Sequence, residues 1–420
     1  MPTSRAERLR GGIAARLIVT LLGLGGLQSC GLLDHDEGPG RVVPTDVAAR
    51  IQQVLDARGR ALVSGQRRPF LATLDRADRT LTSRERSYFD NLQELPIRRL
   101  YYRLDRSSMV DTGDGVTAVV HRELQLTSYD ALLVNTPDRM HFVVVDGRYV
   151  IASDQDHAWQ DANMIEIPPW DSGPIEVRSS GGVLGIFDRH SVAEADGVLA
   201  DVQQGIDDVA AIVPLEWSRQ VVVYALSDTK AIEEINDLPG GDPEQLDGVA
   251  FPVQSGPRSD RLAATRFVLH PRMLTQTGLA RQRLIRHELT HVAIGERDDH
   301  VPIWLSEGLA EWVSVQPIPI PERVISEEAV KAARTGVGDL PADDSFNGPH
   351  SGANYGLAWW ACDWIATTYS PAMLWTLLDT MGAGDGTTQA EQDDVLKQVL
   401  GIDSHELARH AAQRILTTFG

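Results

Sequence analysis

The sequence predicts an α+β protein in two parts: a helix followed by a curved, cone-like antiparallel sheet, then a mixed α/β region that becomes mostly helical. Three observations carry this. At 420 residues the chain has room for two ordinary cores. Apolar spacing follows one helix with a series of β-like runs, and only later mixes strands with helices. A Pro-rich stretch, "IPPWDSGP" (167–174), separates the two patterns. With 42% hydrophobic and 23% charged residues, the composition is that of a globular chain, not a disordered one.

The first segment carries a different signal. Arg5, Arg8, Arg10 and Arg16 precede the apolar run "LIVTLLGLGGL", and "LQSC" closes it at Cys30. A basic start, a short apolar run and small residues at the exit describe an export signal over residues 1–29. The run is shorter than the ~20 residues of a comfortable membrane span. "LQSC" followed by Gly31 resembles a bacterial lipoprotein lipobox. That resemblance implies cleavage before Cys30, lipidation of its thiol, and a protein held on the extracytoplasmic face of the cell membrane; a plain signal peptide or an uncleaved anchor is the competing reading. Residues 30–45, rich in Gly, Pro and acid, read as a flexible tether.

From 46 to 170 the elements follow in order. "VAARIQQVLDARGRALVSG" has helical spacing at Val47, Ile51, Val54 and Leu55. "RRLYYRLD", "GVTAVVHRELQL", "MHFVVVDG" and "RYVIAS" follow as strands, with Asp146-Gly147 as a hairpin turn between the last two. This order of elements resembles the cone-shaped nuclear-transport-factor-like domains, which implies either a ligand pocket or a bare scaffold. Beyond the boundary, residues 175–420 begin with a long helical pattern, "SVAEADGVLADVQQGIDDVAAIV". The strand "RQVVVYALSD", the short helix "KAIEEIND" and the strand "RFVLHP" come next.

Charge excludes one class of function. The chain carries a net −20, and Lys230, Lys331 and Lys397 are its only lysines, which argues against a nucleic-acid binder. Apart from Cys30 the single thiol is Cys362, in the apolar "LAWWACDWIA", and it reads as a buried structural residue.

The chemistry concentrates in "LIRHELTHVAIG" (284–295). On a helix His287 and His291 lie about 40° apart and one turn from each other, so both imidazoles can reach one ion. Glu288 falls beside them, able to take a proton from a metal-activated water without ligating the ion. Ile285, Leu289 and Val292 form the apolar back. A zinc site needs a third ligand downstream. "PIWLSEGLAEWVSVQP" (302–317) offers Glu307, with Glu311 one turn later and an apolar stripe of Leu305, Leu309 and Trp312 opposite. Two helices packed through their polar faces bring Glu307 to the histidine pair. His300 or Asp299 could also reach a metal, but neither belongs to a second helical face. Ile294 and Arg297 occupy the places where the metzincin pattern wants glycine and a third histidine.

"HELTH" followed by "WLSEGLAEW" resembles the gluzincin metallopeptidases, the peptidase MA-like domains related to thermolysin and the zinc aminopeptidases. The resemblance implies His287, His291 and Glu307 as zinc ligands and Glu288 as general base. Glu311 matches the acid that orients a zinc histidine. The interval between His291 and Glu307 is a little shorter than in thermolysin-like enzymes. "ATRFVLHP" resembles the family's edge strand, which binds an extended substrate backbone. "NYGLAWWACDWIATTY" resembles its following helix, where Tyr355 fits a tyrosine that stabilises the tetrahedral intermediate, and fits a core or capping tyrosine equally well. The expectation is a membrane-tethered zinc peptidase acting on peptides or proteins. The alternative is a non-enzymatic lipoprotein with a vestigial zinc domain, whose cone binds a ligand or partner.

Overall fold

A computed structural model describes residues 44–420 other than 237, 239, 240, 299 and 385–387. The export signal, Cys30 and nearly all of the tether lie outside these residues, as does Asp299.

The chain begins with α1 (Thr45–Val63), α2 (Arg67–Leu71) and α3 (Arg79–Glu94). Asp78 caps α3, its carboxylate accepting from the N–H groups of Thr80 and Leu81. Strands β1 (Ile97–Leu104), β2 (Val110–Asp111), β3 (Gly115–Leu126), β4 (Val134–Val145) and β5 (Arg148–Ser153) follow. They pair antiparallel in the order β1-β3-β4-β5, with β2 on β3. Asp146 and Gly147 both take positive φ (49° and 73°), and Val145 pairs Arg148, the twist-matched two-residue turn that Asp-Gly favours. Register shifts at Ile97/Arg99 and His141/Phe142 add curl. Alternate residues of β3 turn inward, and Leu55, Phe70, Phe89, Val120 and Phe142 fill the concave side.

That concave side also buries charge. Arg58, 1% exposed, lies 4.3 Å over the Phe70 ring, pairs with Glu85 at 2.5 Å and faces Asp154 at 3.8 Å. Arg84 pairs with Asp154 as well, and the Tyr88 and Tyr102 hydroxyls meet at 2.8 Å.

The Pro-rich stretch is a packed segment. After α4 (His157–Ala162), α5 (Pro169–Ser172) buries Trp170 edge-on to Tyr224 at 6.2 Å, while Asp171 pairs with Arg122 at 2.5 Å. The second sheet contains β6 (Glu176–Ser180), β7 (Val183–Phe187), β8 (Val221–Ala225), β9 (Gly248–Gln254) and β10 (Leu262–Leu269). Helix α6 (Ala195–Ile212) joins β7 to β8, and α7 (Lys230–Glu233) follows β8. Strand order is β6-β7-β8-β10-β9: β7, β8 and β10 run parallel, and β6 and β9 pair antiparallel at the two sides.

Its faces alternate cleanly. Val221, Val223, Phe267 and Leu269 pack with α6 and the later helices. Val222, Tyr224, Phe251 and Val268 pack in one cluster with the cone residues. The sheet is therefore a middle layer. One expectation is corrected here: "ATRFVLHP" forms β10, which lies between β8 and β9, so it is an inner strand and β9 is the edge.

The remaining chain is helical: α8 (Pro271–Leu274), α9 (Leu279–Ile294), α10 (Ile303–Ser314), α11 (Glu327–Thr335), α12 (Ser351–Thr368), α13 (Pro371–Gly382), α14 (Gln389–Val399) and α15 (Ser404–Phe419). Two glycines set the close crossings. A Cβ on Gly205 of α6 would stand 2.8 Å from Leu289 of α9. A Cβ on Gly308 of α10 would stand 2.6 Å from the Ala358 carbonyl and 2.9 Å from Cys362 Sγ, both on α12. Cys362 is fully buried, and burial pushes its thiol well up.

Candidate metal centre

Helix α9 presents His287 and His291 one turn apart, while Ile285 and Leu289 anchor its back in the core. Arg286 fixes its rotation: Nε donates to the Ser314 carbonyl at 2.6 Å, and Nη1 to Asp208 at 3.3 Å. Gly295, with φ 59°, ends the helix. The chain then folds back into α10, whose Trp304, Leu305 and Leu309 are wholly buried and whose Glu307 turns to the histidines.

The three side chains converge. His287 Nε2 lies 3.1 Å from Glu307 Oε2, His291 Nε2 lies 3.6 Å from the same oxygen, and the two Nε2 atoms are 3.4 Å apart. Ligand atoms about 2.0–2.1 Å from a tetrahedral ion are separated by about 3.3 Å, so the observed triangle has the size of one face of such a shell. The outer edges of the rings agree. His291 Nδ1 is 2.8 Å from Asp298 Oδ2, and His287 Nδ1 faces Glu311 Oε1 at 3.5 Å. Asp298, at hydrogen-bond distance, holds the proton on His291 Nδ1 and leaves its Nε2 lone pair pointing inward; Glu311 makes no hydrogen bond to His287, but its charge favours the same tautomer there. Two lone pairs and a carboxylate oxygen at this range repel unless a cation or protons lie between them. The residues present can hold one metal ion.

Electrostatics follow from this crowding. Burial alone would lower His287, but the Glu307 hydrogen bond and the charges of Glu311 and Glu307 leave it raised. His291 is likewise pulled down by burial and lifted further by Asp298, to well above the ordinary histidine value. Burial pushes Glu307 up, yet when protons and not a cation fill the triangle, hydrogen bonds and charge from both imidazoles hold it well below the usual carboxylate range. Glu288 is raised, chiefly by burial, with the two histidines opposing.

Glu288 is 4% exposed, and its Oε2 accepts from the Ala250 N–H of β9 at 2.6 Å. This links the helix directly to the edge strand. Both line one pocket of about 210 Å³ with His287, His291, Glu307 and Tyr355. Tyr355 lies with its ring 6.3 Å from that of His287, packs on Phe346 at 4.9 Å, and donates to Asn347 Oδ1 at 3.3 Å. Burial pushes its hydroxyl well up, so it stays an O–H donor. Glu311 is paired with Arg283, whose other Nη donates to the Val324 carbonyl.

Asp298 and Arg283 were not singled out from the sequence. An acid just past the glycine that ends a histidine-bearing helix is the signal that could have found Asp298. His300 is exposed and stands outside the cluster, and His270 caps α8, its Nδ1 accepting from Arg272 N–H. Among known proteins, no family model matches the chain and no curated protein matches it.

Proposed function

We propose that the protein is a zinc-dependent peptidase organised like the gluzincins, with His287, His291 and Glu307 holding the metal. The observation that carries the reading is the triangle of donor atoms, spaced 3.1–3.6 Å, with both outer imidazole nitrogens turned to carboxylates. Zinc bound there supplies a Lewis acid that lowers the pKa of water toward 7.

The chain's own groups supply the rest. Glu288, raised by burial and oriented through Oε2 by Ala250, accepts the proton of the attacking water at its other oxygen. Tyr355 donates its O–H to the negative charge that develops on the carbonyl oxygen. No strand among the described residues pairs with the outer side of β9; Glu288 takes the Ala250 N–H there and Pro252 has none, so an extended peptide added to this edge would be held mainly through the strand's outward carbonyl groups. Pro252 suits such an edge, because Ala250 turns its N–H outward and Pro252, two residues on, lacks one on that same side.

With the leader read as a lipoprotein signal, the peptidase would be tethered outside the cytoplasm through Cys30. No helix among the described residues is long and apolar enough to cross a membrane. The test is zinc content by mass spectrometry, together with hydrolysis of a general peptide mixture before and after chelation. A metal-free protein, or activity indifferent to chelation, overturns the proposal.

A further inference from the structure

A second cavity, of about 540 Å³, opens on the far face of the edge strand. It shares Val249, Ala250, Phe251 and Pro252 with the pocket of the metal cluster, so the two spaces adjoin across one strand. Its size is ordinary for a ligand site.

The two faces of β9 explain the arrangement. Val249, Phe251 and Val253 pack with the cone cluster, whereas Ala250 packs with the helical core behind α9. The cavity therefore lies between sheet and cone. Val134 at the start of β4, with Ile165, Ile167 and Trp170 of the segment leaving the cone, form one wall; Tyr224 and Phe251 of the sheet form the other. The walls are held firmly. Trp170 is 3% exposed, Asn135 N–H donates to the Ser255 carbonyl, and Ala131 N–H donates to the Ala263 carbonyl.

An extended peptide added to the outer side of β9 continues the alternation of the sheet. Side chains level with Ala250 turn toward α9 and the metal cluster. Those level with Phe251 turn the other way, into the cavity. We propose that this cavity is a substrate subsite that selects a large apolar side chain next to a residue held on the metal face, so that the cone domain sets cleavage specificity. The proposal rests on the peptidase reading for its catalytic consequence, but the binding step is separable. Glu166 and Glu234 also line the space, as do Arg122 and Arg266, which are held by Asp171 and Asp130.

The test uses N-acetylated, C-amidated octapeptides on a neutral Gly/Ser/Ala background, with Phe, Leu, Gly or Asp placed at each position in turn. Cleavage is followed by mass spectrometry. Binding is followed calorimetrically on zinc-loaded wild type and on Ile167→Trp, which fills the cavity. Ile167→Ala, which enlarges it, serves as the second variant should the first fail to fold. Zinc content and melting temperature verify each protein.

The expected result is a preference of at least about tenfold for Phe or Leu over Gly at one fixed position. That selectivity ratio should collapse in Ile167→Trp and shift toward Phe in Ile167→Ala. Apolar preference in binding that responds to Ile167, without cleavage, supports the subsite and overturns the peptidase reading. Cleavage with the same selectivity in wild type and both variants overturns the subsite and leaves the peptidase. Neither binding nor cleavage overturns both.

Discussion

His291 Nδ1 lies 2.8 Å from Asp298 Oδ2, across the turn that Gly295 makes at the end of α9. The contact closes a short loop between the helix that carries two of the converging donors and the segment leading to the third. It also sets which imidazole nitrogen is left bare. Asp298→Asn should keep the fold and weaken zinc binding by about 10–100-fold, because the amide can no longer hold a proton firmly on Nδ1. Glu311→Gln should have a similar effect through His287. Competition with a calibrated chelator measures both, and unchanged affinities would remove these acids from the metal reading.

Glu288→Gln should separate binding from chemistry. The amide is nearly isosteric and can still accept from Ala250 through its oxygen. Zinc content should therefore match wild type, while kcat on any peptide the wild type cleaves should fall by about 10²–10⁴-fold. Retained activity with zinc verified in both proteins would end the peptidase proposal.

The buried Arg58 network should respond asymmetrically. Arg58→Met leaves Glu85 and Asp154 buried beside an apolar side chain, and should cost about 3–5 kcal/mol. Arg58→Met combined with Glu85→Leu should recover most of that loss, since Arg84 still pairs with Asp154. Denaturant titration of the three proteins tests this. Equal destabilisation of single and double variants would contradict it.

Asp138 gives the cone a pH-dependent stability. Burial pushes its carboxyl up to about 6, against hydrogen bonds from the Arg139 and Asp156 N–H groups. The folded chain then binds more protons than the unfolded one between about pH 4 and 6. Stability supplied by the neutral carboxyl is complete below pH 4 and is lost as pH rises through 6. The expected loss is about 1–2 kcal/mol once the partial exposure is discounted. Asp138→Asn should flatten this slope, and melting temperatures of both proteins across pH 4–7 decide the matter.

Much of this was legible in the sequence because local signals and tertiary demands agree. The histidine spacing, the Asp-Gly hairpin and the apolar stripe of α10 each hold in the structure. Strand β9 was not legible, since Gly248 and Pro252 break its pattern and only an edge position tolerates them. The resemblance to the family's edge strand falls instead on the more regular β10. Arg58 was missed for a different reason. It sits on the same helical face as Ile51, Leu55 and Leu62, where an arginine makes sense only with Glu85, 27 residues away, folded against it. Asp298 likewise acquires its role only once the chain has turned back.

The close crossing of α10 and α12 at Gly308 places the one thiol of the described chain at the seam behind Glu307. Cys362 is thus a natural clock for that seam. A thiol reagent can reach it only when the helices part, and its labelling rate counts those openings. An ion joining α9 to α10 favours the closed state and should slow the clock in proportion to its occupancy. Labelling kinetics with and without zinc would then read metal binding from the side of the helix opposite the site, with no substrate needed.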